Sequence, residues 1–194
     1  MSTTAPTRSA RFVTDAFEPK NWIIALTVLV GWHVDRIAGI GWGLLGALFA
    51  AVLPIRFIKF GMRRGRWADR HVGVKQHRLI VMTFIIASVA TGIALMATLG
   101  APRAMVALIV SMLTTLAALM AITTKWKISV HAAVSSGAVV LLTLTYGPWM
   151  LLLYPLVALV GWSRIALKDH TPAQVAAGAL LGAAVAAATF LLIR

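Results

Sequence analysis

The apolar positions of this chain fall into seven long runs, roughly 21–35, 39–60, 79–99, 103–123, 129–146, 148–163 and 172–193. Several approach or exceed the roughly 18–20 residues that a helix needs to cross the hydrocarbon core of a bilayer. The breaks between them are short: HVDR (33–36), GAPR (100–103), TKWK (124–127), YGP (146–148) and SRIALKDHTP (163–172), with one longer basic loop at 61–78. The pattern predicts an all-α integral membrane protein with six to seven transmembrane helices in a bundle. The first run is short, and if it is re-entrant six full spans remain. Residues 1–20 are polar, with two prolines, and lack the apolar core and small-residue cleavage site of a signal peptide. They are expected to form a mostly disordered tail with a surface-lying turn around Phe12 to Phe17. Residues 21–194 are expected to form a single transmembrane domain, because no polar stretch is long enough to fold separately.

Composition agrees with this picture. The chain is 60% hydrophobic, against about 45–50% for ordinary soluble domains, and its mean hydropathy is +0.90. Cysteine is absent, which excludes disulfides, thiolate ligands and a thiol nucleophile. The net charge of +13 would suggest a nucleic-acid partner in a soluble protein. Here it is first explained by basic residues flanking membrane helices on the cytoplasmic side, and no nucleic-acid partner is expected. If the helices alternate, the breaks at 61–78, 124–128 and 164–171 share a face with the N-terminus. They hold Arg63, Arg64, Arg66, Arg70, Lys75, Arg78, Lys125, Lys127, Arg164 and Lys168. The opposite face holds little beyond Arg36, Arg103 and Arg194. Phosphate-binding cations would be basic on either side, but Arg63, Arg64, Arg66, Lys125 and Lys127 suffice without them. The expectation is a plasma-membrane protein with its polar site facing the cytoplasm.

Two helix starts on that face have capping residues. Thr171 is a natural N-cap followed by Pro172 at the first helical position, and Ser129 can cap the helix after TKWKI. Gly178 and Gly182 have the small-xxx-small spacing that lets membrane helices pack closely. Capped helix N-termini present oriented N–H groups, a favourable setting for an anion. Two of the five histidines, His131 and His170, sit at these starts. His71 and His77 read as solvated loop residues, and His33 with Asp35 as a short turn. The histidine spacing does not support a metal site, and no cofactor is expected. Trp22, Trp42, Trp126, Trp149 and Trp162, near segment ends, read as an aromatic belt.

Ser163, Arg164 and His170, with Ile128-Ser129-Val130-His131 upstream and Lys75 and Arg78 before them, resemble the motifs of the type 2 phosphatidic acid phosphatase (PAP2) family. That family carries Lys-x6-Arg-Pro, Pro-Ser-Gly-His and Ser-Arg-x5-His-x3-Asp. The third motif matches in register through His170. The second keeps Ser129 and His131 and lacks the Pro and Gly; SSGA at 135–138 has no His and is rejected. In the first, Leu79 follows Arg78 where the family has Pro, and His71 stands seven before it where the family has Lys. The resemblance covers roughly residues 61–185. It implies a PAP2-like helical core, His170 as a nucleophile forming a phosphohistidine, and His131 as general acid. Arg164, Ser129, Arg78 and Lys75 would hold phosphate. Guanidinium groups bind phosphate bidentately and lysine acts as a point charge. The scheme requires no metal.

Gln174 stands where the family has the Asp that orients the nucleophilic imidazole. In a serine-protease triad, replacing such an Asp by a neutral amide cost about 10⁴ in rate. Gln174 offers a carbonyl without charge, so Asp69 is the best substitute among the five acids; Asp169 is expected to point elsewhere. The implied partner is a lipid phosphate, either an isoprenoid phosphate or a phosphatidic-acid-like lipid. Two other readings remain: a lipid phosphotransferase, and a non-catalytic protein that binds anionic headgroups.

Overall fold

A computed structural model describes residues 4–66 and 75–194; of residues 4–7, 75, 76 and 78 only the backbone is described. The described residues form helices and no strand: α1 (Thr4–Ala16), α2 (Pro19–Ala47), α3 (Leu53–Arg63), α4 (Lys75–Thr98), α5 (Arg103–Thr123), α6 (Val130–Tyr146), α7 (Tyr154–Ala166) and α8 (Pro172–Ile193). A π turn at Leu48–Val52 joins α2 to α3, and a 3₁₀ turn at Pro148–Leu153 leads into α7.

Helix α2 folds back on itself at Asp35 and Arg36, whose backbone angles leave the helical region. The reversal falls within the predicted HVDR break. Its two arms touch through glycine: a Cβ on Gly31 would lie 2.1 Å from the Gly39 carbonyl oxygen, and one on Gly43 2.4 Å from that of Thr27. Only residues without side chains allow this approach. The π turn has an equally local cause. Pro54 has no N–H for the carbonyl of Ala50, and its ring crowds that carbonyl, so the helix widens there. Across the gap, the Ser88 hydroxyl donates to the Phe49 carbonyl at 2.7 Å.

Among the described residues, five stretches are long and apolar enough to cross a membrane: Arg8–Arg63, Leu79–Thr98, Arg103–Thr123, Pro148–Ala166 and Pro172–Ile193. The first contains the α2 reversal, and α6 is shorter, at 17 residues. The core lies between α2, α5, α6 and α8, where Val30, Met105, Leu108, Ile109, Leu141 and Phe190 are buried. The helix ends sort into two groups. At one end, the Tyr146 hydroxyl donates to the Leu29 carbonyl and the Arg194 guanidinium to that of Leu144. The ends of α1 and α7 and the starts of α2, α6 and α8 gather at the other.

The N-terminal segment departs from expectation. Residues 4–16, read from sequence as a disordered tail, form α1, which packs on α7 and buries Ala10, Val13 and Thr14. Arg8 and Arg11 belong to a polar face, and the apolar positions are spread through a charged segment, so no contiguous run marks it.

Candidate functional site

The two histidine-bearing helix starts are built from their caps. The Ser129 hydroxyl accepts the Ala132 N–H at 3.3 Å, which opens α6 and sets His131 in its first turn. Thr171 and Gln174 form a reciprocal capping box at the start of α8. The Thr171 hydroxyl accepts the Gln174 N–H at 3.3 Å, and the Gln174 side-chain carbonyl accepts the Thr171 N–H at 3.1 Å. The two starts are tied together, since the Ser129 N–H donates to the Gln174 backbone carbonyl at 3.2 Å. Behind them, α8 lies on α6 with no side chain between. A Cβ on Gly178 would meet the Ser129 carbonyl oxygen at 2.5 Å, and one on Gly182 would meet that of Ala133 at 2.1 Å. The predicted glycine spacing is thus the seam that sets His131 beside the loop carrying His170.

Arg164 ends α7 and is only 4% exposed. Its backbone carbonyl accepts the N–H groups of Asp169 and His170, at 3.1 and 3.3 Å, so the 167–170 loop curls over the end of α7. Arg164 Nη2 pairs with Asp169 Oδ2 at 2.9 Å. Its Nη1 faces Thr14 Oγ1 at 3.5 Å. Thr14 Oγ1 also shares a hydrogen with Ser163 Oγ at 2.9 Å, while Ser163 donates to the Val160 carbonyl at 2.7 Å. Helix α1 therefore braces the guanidinium from one side and the 167–170 loop from the other. Lys127 adds a third tie, its Nζ donating to the Asp169 carbonyl at 2.6 Å.

These groups surround the mouth of one cavity of about 500 Å³. Lys20, Lys59, Lys127 and Arg164 line it against the carboxylates of Glu18 and Asp169, and His131 and His170 line it too. Glu18 pairs with Lys20. Cations outnumber carboxylates, so the mouth favours an anion. Two buried donors on its wall, Arg164 Nε and Trp22 Nε1, have no hydrogen-bond partner among the described residues. Deeper in, the wall is hydrocarbon from α2, the π turn, α4, α5 and α6, apart from the hydroxyls of Ser111 and Thr115.

The structure thus brings His131, His170 and Arg164 to one cavity, as expected. Other expected roles do not hold. Ser129 is fully buried, spends its hydroxyl on the cap and does not line the cavity, so it is not a phosphate ligand here. Gln174 gives its side-chain carbonyl, the oxygen expected to orient His170, to the Thr171 N–H, so that oxygen caps α8. Asp169 points into the site, onto Arg164. Asp69 lies outside the described residues, as do the side chains of Lys75 and Arg78, although both of the latter stand in the first turn of α4. Sequence reasoning missed Thr14, Glu18, Lys20 and Lys59, which lie far from the motif. It assigned Lys127 to membrane topology and Trp22 to the aromatic belt. The position of Lys127 two residues before the Ser129 cap was the available signal. The chain matches no protein-family model, no curated protein and no solved structure.

Proposed function

We propose that the chain is an integral membrane lipid-phosphate phosphatase, a divergent relative of the PAP2 enzymes, working through a phosphohistidine. The observation that carries the reading is the cavity itself. Two histidines and a buried arginine ring its mouth, and its interior is hydrocarbon. A ligand with an anionic head and an apolar tail matches both parts. In this mechanism Arg164 and Lys127 bind the phosphate oxygens and stabilise the charge they carry in the transition state. An imidazole nitrogen of His170 attacks phosphorus, and the bond from phosphorus to the lipid oxygen breaks as His131 gives that oxygen a proton. Water then attacks the phosphohistidine, His131 takes its proton, and inorganic phosphate leaves. Asp169 holds Arg164 until the substrate phosphate competes for it. The same reading puts six or seven spans in the plasma membrane with the mouth on the cytoplasmic side.

The test is phosphate release by the purified protein in detergent with EDTA, from farnesyl phosphate, farnesyl diphosphate, a polyprenyl phosphate and phosphatidic acid. Turnover is expected on at least one and is lost in His170→Ala. No turnover on any substrate, with lipid-phosphate binding intact, would replace the enzyme by a headgroup-binding protein. One observation favours that second reading: the Gln174 carbonyl, the group available where the family has its orienting Asp, is spent on the cap. Turnover only with an added acceptor alcohol would make the protein a phosphotransferase.

A further inference from the structure

The hydrophobic part of the cavity runs inside the bundle. Its wall includes Leu26, Ala51, Val89, Leu119, Ala138 and Leu141, all at most 3% exposed. From His131 at the mouth to Leu141 on the same helix is ten residues, or about 15 Å at the helical rise. That is about half the hydrocarbon thickness of a bilayer. The space arises from identifiable residues. The π turn sets Ala50 and Ala51 on one wall, and Gly137 and Ala138 face from α6. The two hydroxyls deep in the wall are turned back on their own helix: Ser111 donates to the Ala107 carbonyl at 2.7 Å and Thr115 to that of Ser111 at 2.8 Å. The inner cavity makes no polar demand on an occupant.

Depth limits the occupant further. Half the hydrocarbon thickness of a bilayer is about the depth that one lipid chain spans from the surface inward, and the cavity that offers this depth is only partly enclosed.

Resting on the lipid-phosphate reading above, we infer that one hydrocarbon chain of the substrate, roughly ten to fifteen carbons long, threads into the bundle between α2, α4, α5 and α6. A diacylglycerol phosphate is then a poorer ligand, because its second chain has to stay outside the channel.

The experiment measures binding, which does not depend on turnover. Full-length protein carrying His170→Ala, in detergent, is titrated with alkyl phosphates of eight to eighteen carbons, with geranyl and farnesyl phosphate, and with dioleoyl phosphatidic acid. Each added methylene is expected to tighten binding by up to about fourfold, levelling off between ten and fifteen carbons, with phosphatidic acid weaker by at least about tenfold. Ala138→Leu, which fills the channel two turns below His131, is expected to move the plateau to shorter chains. Ala50→Val on the facing wall does the same more mildly, and serves if the larger side chain prevents folding. Equal binding of phosphatidic acid and farnesyl phosphate, or a plateau that neither substitution moves, overturns the single-chain inference even if the native protein releases phosphate. A chain-length plateau that moves as expected, with no phosphate released from any ligand by the native protein, supports the channel and overturns the phosphatase.

Discussion

The site has two supports of opposite construction. One is the α6–α8 seam, where glycine lets backbone lie on backbone and each helix start is closed by its own cap. The other is α1, a short helix outside the cavity lining whose Thr14 hydroxyl reaches Arg164 and Ser163. The seam fixes its histidine-bearing helix starts by steric exclusion, with almost no freedom to adjust. Helix α1 steadies a charged group by hydrogen bonds, which a side chain can gain or lose while the helices stay in place. The two supports should therefore fail differently, the seam as a fold and α1 as a brace for Arg164.

The largest effect is expected at the seam. In Gly182→Val the new Cβ must enter the space of the Ala133 carbonyl, 2.1 Å away, and backbone cannot yield as a side-chain tip can. Overpacking of this kind costs about 3 kcal/mol, or ~10 °C in Tm for a chain of this size, and parts His131 from His170. Thermal unfolding in detergent checks it, with Leu180→Ala as the control. Leu180 is 72% exposed on the same helix and should change stability by less than about 0.5 kcal/mol. Equal losses in the two variants would show that α8 is held by general apolar packing and not by glycine contact.

A smaller and different effect is expected at α1. Thr14→Val keeps the shape and removes the hydroxyl that meets Ser163 and faces Arg164. Leaving a buried polar group without its partner costs about 1–3 kcal/mol. Because Arg164 would bind the substrate phosphate and stabilise its charge in the transition state, the loss should appear as kcat/KM falling about tenfold. Thr14→Ser should restore it, since serine returns the oxygen without the methyl group. A variant that loses stability with kcat/KM unchanged, or that serine does not rescue, would reduce Thr14 to a packing residue.

The same contrast explains what the sequence made legible. Most of what was legible in spacing was local: Thr171 before Pro172, Ser129 before α6, the four-residue spacing of Gly178 and Gly182, and the HVDR reversal. Each depends on contacts within a turn or two, or on one helix face. Thr14 reaches Ser163 across 149 positions, and no periodicity in residues 1–20 announces such a contact. Asp169 was misread for a related reason. Its direction follows from the curl of the 167–170 loop over α7, where Lys168 takes a positive φ of 57°, and spacing alone does not reveal that curl. The apolar runs likewise could not show that Pro54 would open a π turn beside the cavity, because a run records polarity and not the width of the helix.

The smallest effect belongs to Gln174, and it bears most directly on the chemistry. Sequence reasoning set it where an imidazole-orienting acid would stand, whereas its side-chain carbonyl closes the capping box. If capping is its work, Gln174→Ala removes one of two reciprocal hydrogen bonds and costs about 0.5–1 kcal/mol. Turnover should stay within about threefold, because the Thr171 hydroxyl still caps α8. Gln174→Glu should do no worse, since glutamate fits the same capping position and a carboxylate is favoured at a helix N-terminus. An orienting role predicts the reverse: Gln174→Ala would lose turnover a hundredfold or more with stability barely changed, in the manner of a triad deprived of its third member. Measuring kcat and Tm on the same two variants separates the cases. The capping result would leave Glu18 and Asp169 as the carboxylates the described cavity wall offers to the histidines.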